Sequence, residues 1–164
     1  FDLGTLSTNG GEDNFFVALN RVLRSRAKAE MEQLRPYLYY LMTGLERMPT
    51  FAGTVYRGIP EADLETIRST YGKTRYVWWS AFTSTSTSVQ LAQQFAGRGG
   101  IIFRIQIEDG RRISEYSHYQ HEGEVLLNPN TKMCVMSDLT ANEEDGYWYL
   151  DVAPVPADAE EIKF

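Results

Sequence analysis

The chain has 164 residues, 43% of them hydrophobic and 23% charged, which is the balance of one globular domain with its own core and not of a disordered or fibrous polypeptide. Sixteen basic residues against twenty-two acidic ones give a net charge of -6, which disfavours binding to a phosphate backbone and so sets nucleic acid aside as the main partner. Charges, glycines and polar residues interrupt every apolar stretch well short of the ~20 residues a membrane span requires.

In chain order, Phe1 stands where a Met would begin a complete chain, and no basic segment followed by an apolar one comes after it. The expectation is a processed or trimmed piece. Residues 1 to 11, rich in Gly, Ser and Thr and without periodicity, read as a lead-in. Phe16, Leu19 and Leu23 then recur at i, i+3, i+7, and Leu34, Leu38, Leu41, Leu45 and Met48 continue in steps of three and four, the stripe of amphipathic helices. Pro36 suits only a first helical turn, so the pattern predicts one helix over roughly 13 to 33 and a second over 35 to 47.

After Pro49 the period changes to two, and β-branched and aromatic residues predict strands at 54 to 57, 76 to 79 and 101 to 107, with further runs near 124 to 127, 132 to 137 and 147 to 155. A short helix follows Pro60, and another is predicted over 88 to 96, with Ser88 as its cap and Leu91, Ala92 and Phe95 on its apolar face. Gly97 to Gly100 precedes a strand and reads as a turn. The sum is one α+β domain over 1–164, with a helical region at 1–48 and a mostly antiparallel β core at 50–155.

Nucleotide-binding loops of the common kinds, a Ser nucleophile elbow and paired CxxC motifs are all missing. His118 and His121 near Glu122 and Glu124 make a weak HxxH on a loop, without the usual anchors of a zinc site, so no metal is expected. The single Cys134, between Met133 and Val135, cannot close an intrachain disulfide and reads as a buried, inert thiol. Three features carry more. Arg57, on a strand beside Gly58, offers a planar fork for phosphate or carboxylate where backbone can be approached closely. The run from Ser80 to Ser88 lies between a Trp pair and a capped helix, so its hydroxyls either bond locally to backbone or orient a carboxylate or ligand. Glu122 and Glu124 flank Gly123 just before the apolar run Val125, Leu126, Leu127; in a regular strand both would project to one face, ~6 to 7 Å apart.

Taken in order, Tyr56-Arg57-Gly58, the Phe82-Thr83-Ser84-Thr85-Ser86 stretch and Glu122-Gly123-Glu124 resemble the signature of the arginine-specific mono-ADP-ribosyltransferases of the R-S-E class, over residues ~50 to 155. The resemblance implies that family's two-sheet β core and an enzyme that moves ADP-ribose from NAD to the guanidinium of a protein arginine, releasing nicotinamide. It implies that Arg57 holds a phosphate of NAD, that Gly58 presents backbone to the nicotinamide carboxamide, and that Ser84, with Thr85 and Ser86 completing the motif, orients Glu124 as the catalytic carboxylate. Glu122 would then receive the incoming guanidinium and its proton. Phe95, eleven positions after Ser84, matches the ring that stacks on nicotinamide, with a core position on its helix as the alternative. Tyr119, ahead of Tyr116, would dock the substrate from the loop at 115 to 121. Gly123 would keep a side chain off the opposite face where that loop enters the strand. The lone cysteine departs from the disulfide-bonded cell-surface members and favours a cytoplasmic or secreted effector. Two other outcomes of the same site are NAD hydrolysis and an NAD-binding interaction module without turnover. The sequence implies no oligomeric state.

Overall fold

Two helices come first among the described residues, and the break between them falls at Arg26 and not at Pro36. In the computed structural model, which describes residues 15–113 and 123–156, α1 spans Phe15–Ser25 and α2 spans Lys28–Glu46. Arg26 takes a left-handed conformation with φ 54°, which no helix can continue. The Ser25 hydroxyl supports the turn, donating to the Val22 carbonyl at 2.9 Å and accepting from the Ala27 N–H at 3.3 Å. Pro36 instead sits inside α2, on its exposed side. It removes one helical hydrogen bond, and the carbonyl deprived of a partner belongs to exposed Glu32, where water can serve it. Proline therefore costs less here than a buried position would make it.

The strands follow: β1 (Thr50–Ile59), β2 (Tyr76–Trp79), β3 (Thr83–Ser86), β4 (Ile101–Arg112), β5 (Glu124–Leu127), β6 (Thr131–Val135), the two-residue β7 (Thr140–Ala141) and β8 (Trp148–Pro154). Between β1 and β2 a 3-10 turn, Glu61–Asp63, leads into α3 (Leu64–Tyr71), and α4 (Val89–Ala96) joins β3 to β4. Ser88 caps α4 as expected, its hydroxyl accepting from the Leu91 N–H at 3.3 Å. β3 and β7 are strands that residue pattern alone does not predict, β3 because Ser and Thr alternating with each other carry no hydrophobic period and β7 because two residues are too few to show one.

Among the described residues, hydrogen bonding links eight strands into one set in the order β1-β3-β5-β4-β8-β6-β2, with β7 on β8 and a further pairing of β1 with β4. The long β4 belongs to both halves. On one side β1, β3, β5 and β4 close on one another; on the other lie β8, β6 and β2. The two expected sheets are thus joined through one shared strand, and every pairing is antiparallel except β4 with β8.

The main core fills the space under both halves with Val55, Phe103, Ile105, Ile107, Val125, Leu127, Met133, Leu150 and Val152. A second cluster, Leu19, Leu23 and Leu45 with Phe82, Ile113 and Leu126, fastens the helices to the other face of β3 and β5. This explains the unbroken run Val125, Leu126, Leu127: β5 is buried on both faces, so no polar residue alternates. Cys134 differs from expectation. It is only half-buried, because in β6 it is Met133 that faces the core and Cys134 that turns outward opposite Tyr76.

Candidate active site

Three neighbouring strands bring the three motifs together. Tyr56 of β1 pairs with Ser86 of β3, and Ser86 pairs in turn with Glu124 of β5. Ser84 lies two residues along β3 from Ser86, on the same face and diagonal to Glu124, within the reach such cross-strand neighbours have. Its hydroxyl donates to Glu124 Oε1 at 2.8 Å. Glu124 is only 5% exposed, and a carboxylate taken so far out of water needs hydrogen bonds to hold it there. Arg57 Nη1 donates to the Ser84 carbonyl oxygen at 3.1 Å, so one residue links the arginine through its backbone and the glutamate through its side chain.

The Ser/Thr run resolves into separate tasks. The Thr85 hydroxyl donates to the Val125 carbonyl at 2.7 Å, pinning β3 to β5. Ser86 accepts from the Ser88 N–H at 3.0 Å and forms the corner that leads to the α4 cap. At the other end, the Phe82 N–H donates to Asn20 Oδ1 of α1 at 3.1 Å, and Arg26 donates to Ser80 Oγ at 3.3 Å. The helical region therefore holds the strand that carries Ser84.

Arg57, Gly58, Ser84, Thr85, Ser86, Phe95 and Glu124 line one cleft of about 230 Å³, together with Tyr56 and Leu91. Phe95 is 72% exposed, which rules out the core alternative for it and leaves its ring at the mouth of the cleft. Gly58 has a reason of its own for being glycine: a Cβ there would lie 1.9 Å from the Ala92 carbonyl oxygen. α4 packs backbone to backbone on β1, and this sets the position of Leu91 and Phe95 relative to Arg57.

A second cavity of about 330 Å³ shares Arg57 with the first and is walled by Arg24, Tyr71, Trp78, Trp79, Phe103 and the Ser80-Ala81 backbone region. Burial holds the Arg57 guanidinium below the usual arginine range; the positive charge of Arg24 adds to this, and Tyr71 opposes it. Two guanidinium groups brought close in a partly dry place disfavour each other and favour a shared anion. Sequence reasoning missed Arg24, as well as Leu91 and the Trp pair as cavity walls. The available signal was Arg21 and Arg24 on α1 with Arg26 just beyond its end, three arginines within six residues of an otherwise acidic chain.

Gly123 departs from the expected regular strand. It adopts φ +54°, and β5 begins only at Glu124. The same-face argument for the two acids requires an extended residue between them, so strand alternation does not relate Glu122 to Glu124. Glu122, Tyr116 and Tyr119 lie outside the described residues, as do His118 and His121. Among the described residues no group of three or more His, Cys, Asp or Glu side chains could hold a metal ion.

An α+β fold that sets an arginine, a serine and a buried glutamate on three adjacent strands, beside an aromatic on the following helix, is the architecture of an ADP-ribosyltransferase. The family described as NAD:arginine ADP-ribosyltransferase matches residues 7–153, and the chain belongs to that family. It is 36% identical over 124 residues to the Mav protein of Mycobacterium avium (strain 104), provisionally named as an NAD(+)–arginine ADP-ribosyltransferase, covering 74% of this chain and 14% of that one. It is 28% identical over 148 residues to the NAD(+)–protein-arginine ADP-ribosyltransferase Tre1 of Serratia proteamaculans (strain 568), covering 89% of this chain and 30% of the relative. The chain thus spans under a third of either relative. Among solved structures, its fold matches the ADP-ribosyltransferase HopU1 of Pseudomonas syringae pv. Tomato DC3000 with a TM-score of 0.71 at 23% identity, over 88% of this chain and 67% of that one. It also matches the Vis toxin of Vibrio splendidus with a TM-score of 0.63 at 24% identity, over 90% and 70% of the two chains.

Proposed function

We propose that the chain is a catalytic domain that transfers ADP-ribose from NAD to the guanidinium of a protein arginine and releases nicotinamide. The observation that carries this reading is the bond from Ser84 Oγ to Glu124 Oε1 at 2.8 Å, at the floor of a cleft whose wall is Arg57 and whose mouth is Phe95. The cleft suits a nicotinamide riboside in size and make-up, with a ring for stacking, the Gly58 backbone in its wall and a carboxylate below. The adjoining cavity, with Arg24, Arg57 and two tryptophans, suits the diphosphate and adenine of the same molecule.

The chemistry follows from the placement of charge. The bond between ribose C1′ and the nicotinamide nitrogen breaks, the electron pair leaves with nicotinamide, and positive charge develops on the ribose as in glycoside cleavage. Glu124, fixed by Ser84 before the reaction starts, stabilises that charge more strongly as it grows. Dry surroundings strengthen the effect. A guanidine nitrogen then attacks C1′ and its proton passes to a base. Glu122 is the residue the family pattern assigns to that work, because an arginine is almost never neutral in water. Glu124 drives nicotinamide release whether arginine or water traps the sugar, which makes NAD hydrolysis the companion reaction of the site. The substrate is a protein with an accessible arginine, and the single cysteine fits a cytoplasmic or secreted effector better than a disulfide-bonded surface form.

Incubation with labelled NAD and agmatine, a small free guanidine, tests the proposal. Labelled agmatine is the expected product. Free ADP-ribose alone would mark a hydrolase, and intact NAD a binding module.

A further inference from the structure

Gly123 and Thr87 meet where the chain enters β5. The Thr87 N–H donates to the Gly123 carbonyl at 3.1 Å, and the Thr87 hydroxyl occupies the space beside Cα of Gly123. A Cβ added at 123 would lie 2.1 Å from Thr87 Oγ1 and 3.4 Å from Thr87 Cβ. Gly123 is held at φ +54°, a conformation that costs most side-chain-bearing residues about 1 kcal/mol or more. Thr87 has little freedom to yield, since it is β-branched and sits between Ser86, on β3, and Ser88, the α4 cap.

The φ angle of residue 123 is the torsion that turns the Glu122 carbonyl relative to the Glu124 side of the chain. Whatever fixes that angle sets the direction from which the chain enters β5. Glu124 itself is anchored from a different residue, Ser84, and by strand pairing. The turn at Gly123 and the carboxylate of Glu124 therefore have separate supports within a single Ser/Thr run.

We propose that Thr87 is the positioning residue for this turn: its N–H and hydroxyl hold Gly123 left-handed, and this sets the share of ADP-ribose that goes to a guanidinium instead of water. The proposal rests on the transferase reading above. In both outcomes the C1′–nicotinamide bond breaks identically; the new bond is C–N with the proton lost from guanidinium, or C–O with the proton lost from water. The clamp acts on the choice between them and leaves bond breaking to Ser84 and Glu124.

The test measures the ratio of ADP-ribosylagmatine to free ADP-ribose, with nicotinamide release recorded alongside, for Thr87→Ala, Thr87→Ser, Gly123→Ala and the double variant Thr87→Ala/Gly123→Ala. Thr87→Ala is expected to lower the ratio about threefold or more, with nicotinamide release changed less than about twofold, whereas Thr87→Ser, which keeps the hydroxyl, stays within about twofold of wild type. Gly123→Ala is expected to lower the ratio at least about tenfold, and the double variant to recover toward Thr87→Ala, because the collision is gone and only the backbone strain remains. If Gly123→Ala does not fold, the Thr87 pair still decides the matter. Ratios unchanged in Thr87→Ala, or a double variant as low as the product of the two single losses, overturns the clamp while leaving the transferase reading intact. A wild-type chain that leaves NAD untouched contradicts that reading itself and the partition claim with it.

Discussion

A hydroxyl–carboxylate bond of 2.8 Å between Ser84 and Glu124 is a small object with a definite energetic meaning. A hydrogen bond to a charged group contributes about 1.5 to 3 kcal/mol, and here it is spent on the orientation of a nearly buried carboxylate. Ser84→Ala should therefore slow nicotinamide release about 10- to 100-fold with the KM for NAD changed little, as read from initial rates across NAD concentrations. Arg57→Ala and Arg24→Ala should act the other way, weakening NAD binding by roughly tenfold or more each, and unchanged affinity in calorimetry would mean that neither touches the diphosphate. Arg57, Ser84 and Glu124 could be picked out of the sequence because their three motifs, in that order, resemble the family's signature, and the fold brings all three to one cleft. Arg24 was not, since it reaches the site from a helix whose pattern reports only which face is buried. Cys134 was misplaced by its neighbours: an apolar context does not say which of two successive β6 residues faces inward.

Among the elements, α4 matters most to the site because it carries Leu91 and Phe95 and rests directly on Gly58. Gly58→Ala would drive a methyl into the Ala92 carbonyl and should cost about 3 kcal/mol or more, visible as a loss of several degrees in melting temperature together with loss of NAD binding. Ser88→Ala removes the cap and should cost about 1 kcal/mol, lowering the melting temperature by roughly 2 to 4 °C. Both the cap and the short helix were plain in the sequence. The start of α2 was not, because Pro36 is the stronger local signal and the true break depends on a left-handed arginine that no residue pattern marks. β3 escaped for a related reason: its stability comes from neighbours on either side and not from an apolar face.

At the scale of the whole molecule, the acidic chain concentrates two arginines at one cavity, so the field that attracts a dinucleotide is local. Affinity for NAD should fall as ionic strength is raised from about 0.05 to 0.5 M, with a smaller salt effect in Arg24→Ala. The helices and strands join into one body through the cluster of Leu19, Leu23, Leu45, Phe82, Ile113 and Leu126, and this is why a residue of α1 can serve a site built on strands. The sharing of β4 between two halves is the part of the architecture that no local pattern reveals, since it depends on which strand edges find each other. The central claim is that Glu124 is the group that drives nicotinamide from NAD. It is tested most directly by comparing nicotinamide release from wild type and Glu124→Gln, a change of charge with almost no change of shape, at saturating NAD and with melting temperature as the check on folding. The account predicts a fall of about a thousandfold or more in a variant that still folds and still binds NAD; release at the wild-type rate would contradict it.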